Sequence, residues 1–454
     1  MKIRKITYII CTCLIVAIVT AFICIPQSNE CKAIGVIATP VAALKKNDIA
    51  DKKKKNKIYI TNNTNKEKLI APKSLEEDNK EYVIVGDFTL QGEKMKIGKN
   101  SSLNITKGSI SNGELVGDNT RLIVNKSKPT FKNLRFSGNF IIGIIKTDFF
   151  VIDTNTLKDM ISLTSDDIDN EVIINHDLRV RIPDEWRGVV QLRSQTNIVL
   201  NANIHQEPTN FKGGNIFFVN DCHDVAFMGK GHLIGDVRNH QDKGGECIYG
   251  IWICNATNVS VKNITCEEFW GDGIYIYPGG IKHKSNNICD RIVIDSVTCN
   301  NNRRQGLSIV GGTNIIVKNS YFTNTGAIHY TPPSAGIDVE PATEYGYDVD
   351  NLFIENCYFE KNGPSCYVGK KDLLVYGNKG KVFVSNCEFK RVILAISENV
   401  LFNNCTIDTL KTKGEAVDKI TIKDCQIDQM SRVLNDERAL LLNTVVKKRT
   451  LPTL

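Results

Sequence analysis

Three acidic residues in the second half of the chain are spaced so that they can share chemistry. Four short segments begin with glycine and alternate polar and apolar residues: GIWI ending at Ile253, GIYI at Ile276, GLSI at Ile309 and GIDV at Val339. In extended strands, Ile251 and Ile253, Ile274 and Ile276, Leu307 and Ile309, and Ile337 and Val339 point inward. Trp252, Tyr275, Ser308 and Asp338 then form one outer row, and Cys254, Tyr277, Val310 and Glu340 a second. Asp272 and Gln305 precede their strands on the same side, with Arg303 and Arg304 in the adjoining turn. Asp338 and Glu340 lie roughly 6.6 Å apart along one strand, and Asp272 lies on the order of 10 Å away across two strand spacings. Carboxyl pairs about 5 to 9.5 Å apart divide the work of glycoside hydrolysis into acid and nucleophile or base. Arginines suit a sugar carboxylate or sulfate, and Trp252, Tyr275 and Tyr277 offer stacking faces to sugar rings. Solvated carboxylates and aromatics packed under a turn give the same letters.

A repeated strand and turn must hold these residues in register. It reads NVSVKNITC from Asn258, RIVIDSVTC from Arg291, NIIVKNSYF from Asn314, NLFIENCYF from Asn351, KVFVSNCEF from Lys381, NVLFNNCTI from Asn399 and KITIKDCQI from Lys419. Successive starts are 33, 23, 37, 30, 18 and 20 residues apart, so the strand keeps its pattern while the turns vary. One such strand buries its apolar face only by stacking on the next coil. Variable spacing disfavours leucine-rich, ankyrin and propeller repeats. It predicts an all-β, right-handed, single-stranded parallel β-helix. Cys357, Cys387, Cys405 and Cys425 share one position of successive copies and should stack as an internal ladder of small apolar groups, without disulfides or a metal.

The chain has 454 residues, with Lys plus Arg exceeding Asp plus Glu by 57 to 50. Much of the excess falls in Lys45, Lys46, Lys52 to Lys55, Lys57, Lys66 and Lys68, which reads as a solvated spacer and not as a nucleic-acid groove. The expected organisation is a signal peptide or signal anchor over 1–26, a lysine-rich spacer over 27–77 with room for one strand, a β-helix with an N-terminal cap over 78–440, and a tail over 441–454. The first segment sets Lys2, Arg4 and Lys5 before an apolar run from Ile6 to Ile25 that stops at Pro26. It implies a secreted, periplasmic or cell-surface protein, attached to a membrane through residues 6–25 if the run is retained. Residues 131–205 break the pattern around a charged stretch.

No cofactor motif is present. Asp348 and Asp350, in the acidic turn GYDVD, are calcium-type ligands but too few to define a site. His223, His232, His240 and His329 lack metal-ligand spacing, although His240 and His329 flank the site-bearing coils and are candidate bases.

From Asp221 to Asn362 the chain resembles the pectin lyase-like β-helix superfamily, and in detail its polygalacturonase branch. In that branch a strand with two adjacent aspartates carries the central acid. GDGIYI keeps Asp272 and has Gly273 in place of the second. The resemblance also implies a histidine between glycines where RQGLSI has Gln305, and an arginine and lysine where GIDVE has Asp338 and Glu340. It therefore implies a carbohydrate-active protein with altered catalytic residues, binding an extended polysaccharide, acidic ones included. Asp272, Asp338 and Glu340 are the candidate reactive carboxylates, with Arg303, Arg304, Gln305, Ser308, Trp252, Tyr275 and Tyr277 as substrate contacts. Hydrolysis, uronan lysis or C5 epimerisation, and noncatalytic glycan binding all remain open at this level.

Overall fold

The computed structural model describes residues 56–61, 69–241, 244–279, 288–363, 371–414, 416–435 and 437–450. The apolar run at 6–25 and the lysines before residue 56 lie outside them. Among the described residues no helix is long and apolar enough to cross a membrane.

Each copy of the repeat forms one strand of a 12-stranded parallel sheet. Val261, Ile294, Val317, Ile354, Val384, Phe402 and Ile422 lie side by side in consecutive strands and are fully buried. Asparagine closes five of these seven strands, and Ser296 and Asp424 close the other two. Asn263, Asn319, Asn356, Asn386 and Asn404 have φ of 57°, 52°, 52°, 53° and 50°. Asparagine tolerates this left-handed conformation better than most side chains, and its amide bonds locally. Asn404 Nδ2 donates to Asn386 Oδ1 at 2.8 Å, so the turn residues also form a ladder between coils.

The rest of each coil belongs to an 18-stranded parallel sheet. Three-residue strands such as Tyr321–Thr323 and Tyr358–Glu360 alternate there with the glycine-led strands Asp272–Tyr277, Gln305–Ile309 and Ala335–Val339. From Glu388 onward the two kinds merge into continuous strands, Glu388–Ala395, Thr406–Lys413 and Gln426–Ser431, where the repeat spacing contracts. These stacked coils constitute the expected parallel β-helix. The internal cysteine ladder is present: Cys357 N–H approaches Cys387 Sγ at 3.4 Å and Cys405 N–H approaches Cys425 Sγ at 3.3 Å. All ten described cysteines are buried.

Strand pairing runs beyond 78 and 440. Lys57–Thr61 pairs with Glu81–Thr89, and Val445–Thr450 pairs with Gln426–Ser431. The last strand carries VVKKRT, whose side chains give no apolar alternation; its pairing comes from backbone groups, which hydropathy does not register. The irregular stretch contains a short helix, Thr156–Ser162, that buries Leu157, Met160 and Ile161.

The glycines that lead the site strands are required by close approach between coils. A Cβ on Gly306 would lie 2.5 Å from Gly336 O and 2.9 Å from Phe322 Cδ1, and one on Gly273 would lie 2.9 Å from Gly306 O. Residues three apart on one strand, Gln305 and Ser308, both reach the aspartates, bonding Asp338 and Asp272. Gly306→Ala should therefore destabilise the protein by about 1–3 kcal/mol, as overpacking does. Urea unfolding of the variant checks this.

Candidate functional site

Strand register places the outer residues where the alternation requires. Phe218, Trp252, Tyr275, Ser308, Asp338 and Leu374 occupy neighbouring strands in one row. Three residues upstream, Asp272, Gln305, Ala335 and Lys371 form a parallel row. Cys254 pairs with Tyr277, and Glu340 N–H bonds back to Ile309 O, continuing the second outer row.

Side-chain bonds knit the first two rows together. Asp272 Oδ2 accepts from Arg304 Nη1 at 3.0 Å and from Ser308 Oγ at 2.8 Å. Asp338 Oδ2 accepts from Gln305 Nε2 at 2.7 Å, while Gln305 Oε1 accepts from Ala335 N at 2.7 Å. Glu246 approaches Arg304 Nε at 3.9 Å. One oxygen of each aspartate, Asp272 Oδ1 and Asp338 Oδ1, is buried without a hydrogen-bond partner.

The expected solvent-facing position of these carboxylates needs correction. Asp272 and Gln305 are 0% exposed, Asp338 2% and Ser308 3%. They lie outside the coil's apolar interior, yet longer side chains reach over them. Arg304 folds back onto Asp272 and Gln305 spans to Asp338, while Tyr249 and Leu374 are buried beside them. Glu340, Trp252, Tyr275 and Tyr277 are half-buried.

This enclosure sets the charge states. Burial raises the Asp272 carboxyl to about 6, against the pull of Arg304 and the Ser308 hydrogen bond. Burial, followed by the negative charge of Glu340, pushes Asp338 up to about 8, with Arg304 and Lys371 opposing. Glu340 is also raised, chiefly by burial. For Arg304, burial works against the charge but is outweighed by Asp272, Tyr249, Asp338 and Glu246, which hold it cationic. Burial lowers the Lys371 ammonium. Two neighbouring carboxyls in different protonation states near neutral pH are a recognised basis for acid–base division of labour.

Aromatic rings continue from the carboxylates. Tyr275 stacks on Tyr249 at 4.5 Å and on Tyr277 at 6.1 Å between centroids; Trp252 lies 4.8 Å from Phe218 and 5.9 Å from Tyr275. Trp252 Nε1 is buried without an acceptor. Beyond Phe218 the row reaches Gln191. A depression of about 330 Å³ there is lined by Gln191, Arg193, Ser194, Asn220 and Asp221. Five strand steps separate Gln191 from Asp338, about 24 Å.

The two arginines do not act together. Arg303 is buried, its guanidinium lying 4.0 Å over the Trp270 ring and donating to Gly245 O at 2.8 Å. Adjacent residues of an extended segment project to opposite sides, so only Arg304 reaches the carboxylates. His240 stacks on Trp270 at 4.0 Å with Nδ1 2.9 Å from Asp236 Oδ2, and His329 lies 5.6 Å from the same indole. His223 pairs with Asp224 and His232 with Glu267. In the GYDVD turn Asp350 Oδ1 accepts from Lys381 N, and Tyr347 donates to Gly279 O at 2.6 Å. Among the described residues no three His, Cys, Asp or Glu side chains gather to hold a metal.

Tyr249, Lys371, Glu246 and Phe218 join the cluster without having been singled out in the sequence. Tyr249 was readable, since it precedes Gly250 as Asp272 precedes Gly273. Lys371 was not, because Asp372 replaces the leading glycine of its strand.

The fold is a parallel β-helix. No protein-family model matches the chain. The uncharacterized protein YclG of Bacillus subtilis (strain 168) is 29% identical over 164 residues, 35% of this chain and 26% of that protein. This chain thus matches only about a quarter of that relative's length. Among solved structures, it is similar to tailspike protein gp49 of Acinetobacter baumannii bacteriophage Fri1, a capsular polysaccharide depolymerase, with 13% identity, TM-score 0.46 and coverage of 69% of this chain and 62% of that one. The polygalacturonase of Erwinia carotovora ssp. carotovora gives 12% identity, TM-score 0.45 and coverage of 68% and 94%. These likenesses concern the fold alone.

Proposed function

We propose that this protein hydrolyses glycosidic bonds within an extended polysaccharide, with Asp338 as proton donor and Asp272 as the base. The observation that carries this reading is the pair of buried carboxyls, each with one unpartnered oxygen, at the end of a row of aromatic rings. Asp338 gives its proton to the glycosidic oxygen as the bond from that oxygen to the anomeric carbon breaks. Asp272 takes a proton from water, whose oxygen bonds to the anomeric carbon. Exchange with solvent then restores both groups. Arg304 keeps Asp272 ionised, and the charge of Glu340 favours the protonated form of Asp338. Substrate must displace a side chain covering the carboxyls, and Gln305, whose amide spans to Asp338, is the one that can swing away while Arg304 stays on Asp272. Trp252, Tyr275 and Tyr277 stack against sugar rings, and Trp252 Nε1–H donates to a sugar hydroxyl. The basic and apolar residues from Lys2 to Ile25 support action outside the cytoplasm, where extended glycans are met.

The reading fixes a pH profile. Asp272 must lose its proton, so activity rises through about pH 6; Asp338 must retain its proton, so activity falls through about pH 8. A bell between these limits is expected when new reducing ends are measured on acidic and neutral polysaccharides. Activity rising steadily past pH 9 would contradict the assignment of Asp338.

A second reading, uronan lysis or C5 epimerisation, is favoured by one feature: Lys371, its ammonium lowered by burial, lies near Asp338, with Arg304 available to neutralise a uronate carboxylate. It predicts unsaturated ends or altered C5 configuration in place of hydrolysis products.

A further inference from the structure

The three-residue strands of the 18-stranded sheet carry exposed aromatic rings. Thr298–Asn300, Tyr321–Thr323 and Tyr358–Glu360 stack in register on consecutive coils. Their central residues, Cys299, Phe322 and Phe359, fill the core, so the first and third residues face outward. Tyr321 and Tyr358 stand side by side at 52% and 44% exposure, with ring centroids 5.7 Å apart. The strands that bury Phe322 and Phe359 thus leave two tyrosine rings to water.

The neighbouring outward row is polar. Thr323 Oγ1 donates to Asn300 Oδ1 at 3.1 Å, and Asn324 Nδ2 donates to the same oxygen at 2.9 Å. A depression of about 390 Å³ opens beside the rings, lined by Tyr358, Phe359, Glu360, Lys361, Glu388 and Lys390. Its charges are matched: Lys361 pairs with Glu360 at 2.8 Å and Lys390 with Asp408 at 3.2 Å. Matched charges give no attraction for a polyanion such as nucleic acid. They leave carboxylate acceptors and ammonium donors pointing beside flat apolar faces, the combination that recognises a neutral sugar chain.

We infer that Tyr321 and Tyr358 form a second glycan-binding platform, built from residues distinct from the carboxylate cluster, on which consecutive rings of an extended neutral polysaccharide stack while Glu360 and Lys390 bond its hydroxyls. The strand step of about 4.8 Å between the tyrosines is close to the repeat of an extended sugar chain. The glycan class rests on the proposed function; the platform itself rests on the exposed rings and the depression. Such a platform would hold polymer to the protein without taking part in bond cleavage.

Native gels containing a neutral glucan, a galactomannan or polygalacturonate test this with the full chain. At least one neutral polymer is expected to retard it. Combining Tyr321→Ala with Tyr358→Ala should weaken retardation about tenfold, the scale of two lost stacking contacts. Combining Tyr321→Trp with Tyr358→Trp should preserve it, and both pairs should leave turnover of short soluble oligosaccharides unchanged. Because these rings are exposed, thermal melting should also be unchanged, and the tryptophan pair keeps the test valid if the alanine pair unfolds. Retardation that survives the alanine pair, is lost with the tryptophan pair, or is confined to polygalacturonate overturns the platform. Asp338→Asn should retain retardation; a wild-type protein that is retarded but cleaves nothing would overturn the hydrolytic reading alone.

Discussion

Asp338→Asn is expected to lower polysaccharide cleavage by a factor of roughly a hundred to ten thousand, the usual contribution of a positioned general acid. The side chains are nearly isosteric, and the asparagine oxygen can still accept from Gln305 Nε2, which now bonds Asp338 Oδ2 at 2.7 Å. The loss should therefore come without unfolding. Stability provides a second readout with a definite sign. The folded-state pKa of Asp338 is raised to about 8, so its stabilising contribution is complete below its unfolded value and is lost as pH rises through about 8. Asparagine does not titrate. Between about pH 4 and pH 8 the variant should gain on the wild type by about 1.4 kcal/mol per pH unit, as an upper scale. Urea unfolding at pH 5 and pH 8 checks this, and an equal offset at both would mean that Asp338 ionises freely in the folded protein.

Arg304→Met should be the most destabilising change at the site. It leaves the fully buried Asp272 carboxylate with Ser308 as its remaining side-chain hydrogen-bond donor. Removing one partner of a buried ion pair costs about 3–5 kcal/mol. The pKa of Asp272 is already raised to about 6 and should climb further without the cation, so the penalty should be large at pH 8 and small at pH 5, where the group can take up a proton. Adding Asp272→Asn should recover most of the stability but not the activity. A penalty independent of pH, or no recovery in the double variant, would show that Arg304 acts through packing and not through charge.

The coil was legible because its signals are local. Val261, Ile294, Val317 and Ile354 recur at one offset, and Asn263, Asn319 and Asn356 follow three of these strands at the same distance. The same alternation was enough to align Trp252, Tyr275, Ser308 and Asp338. What it could not convey was enclosure. Whether Asp338 meets water depends on the paths of Arg304 and Gln305 over a neighbouring strand, and those paths are set by partners 32 and 33 residues away. The separation of Arg303 from Arg304 follows from strand alternation, but locating the turn residue from which the alternation starts requires the backbone. Lys371 escaped notice because its strand lacks a leading glycine, and the last strand because its side chains carry almost no apolar pattern.

The central claim is that the enclosed carboxyls catalyse addition of water across a glycosidic bond. Digestion of a cleaved polysaccharide in heavy-oxygen water, with mass analysis of the fragments, tests it most directly. Wild-type protein should introduce one heavy oxygen at each new reducing end, and Asp338→Asn should introduce almost none. Fragments carrying unsaturated ends without heavy oxygen, or full incorporation by the variant, would contradict it.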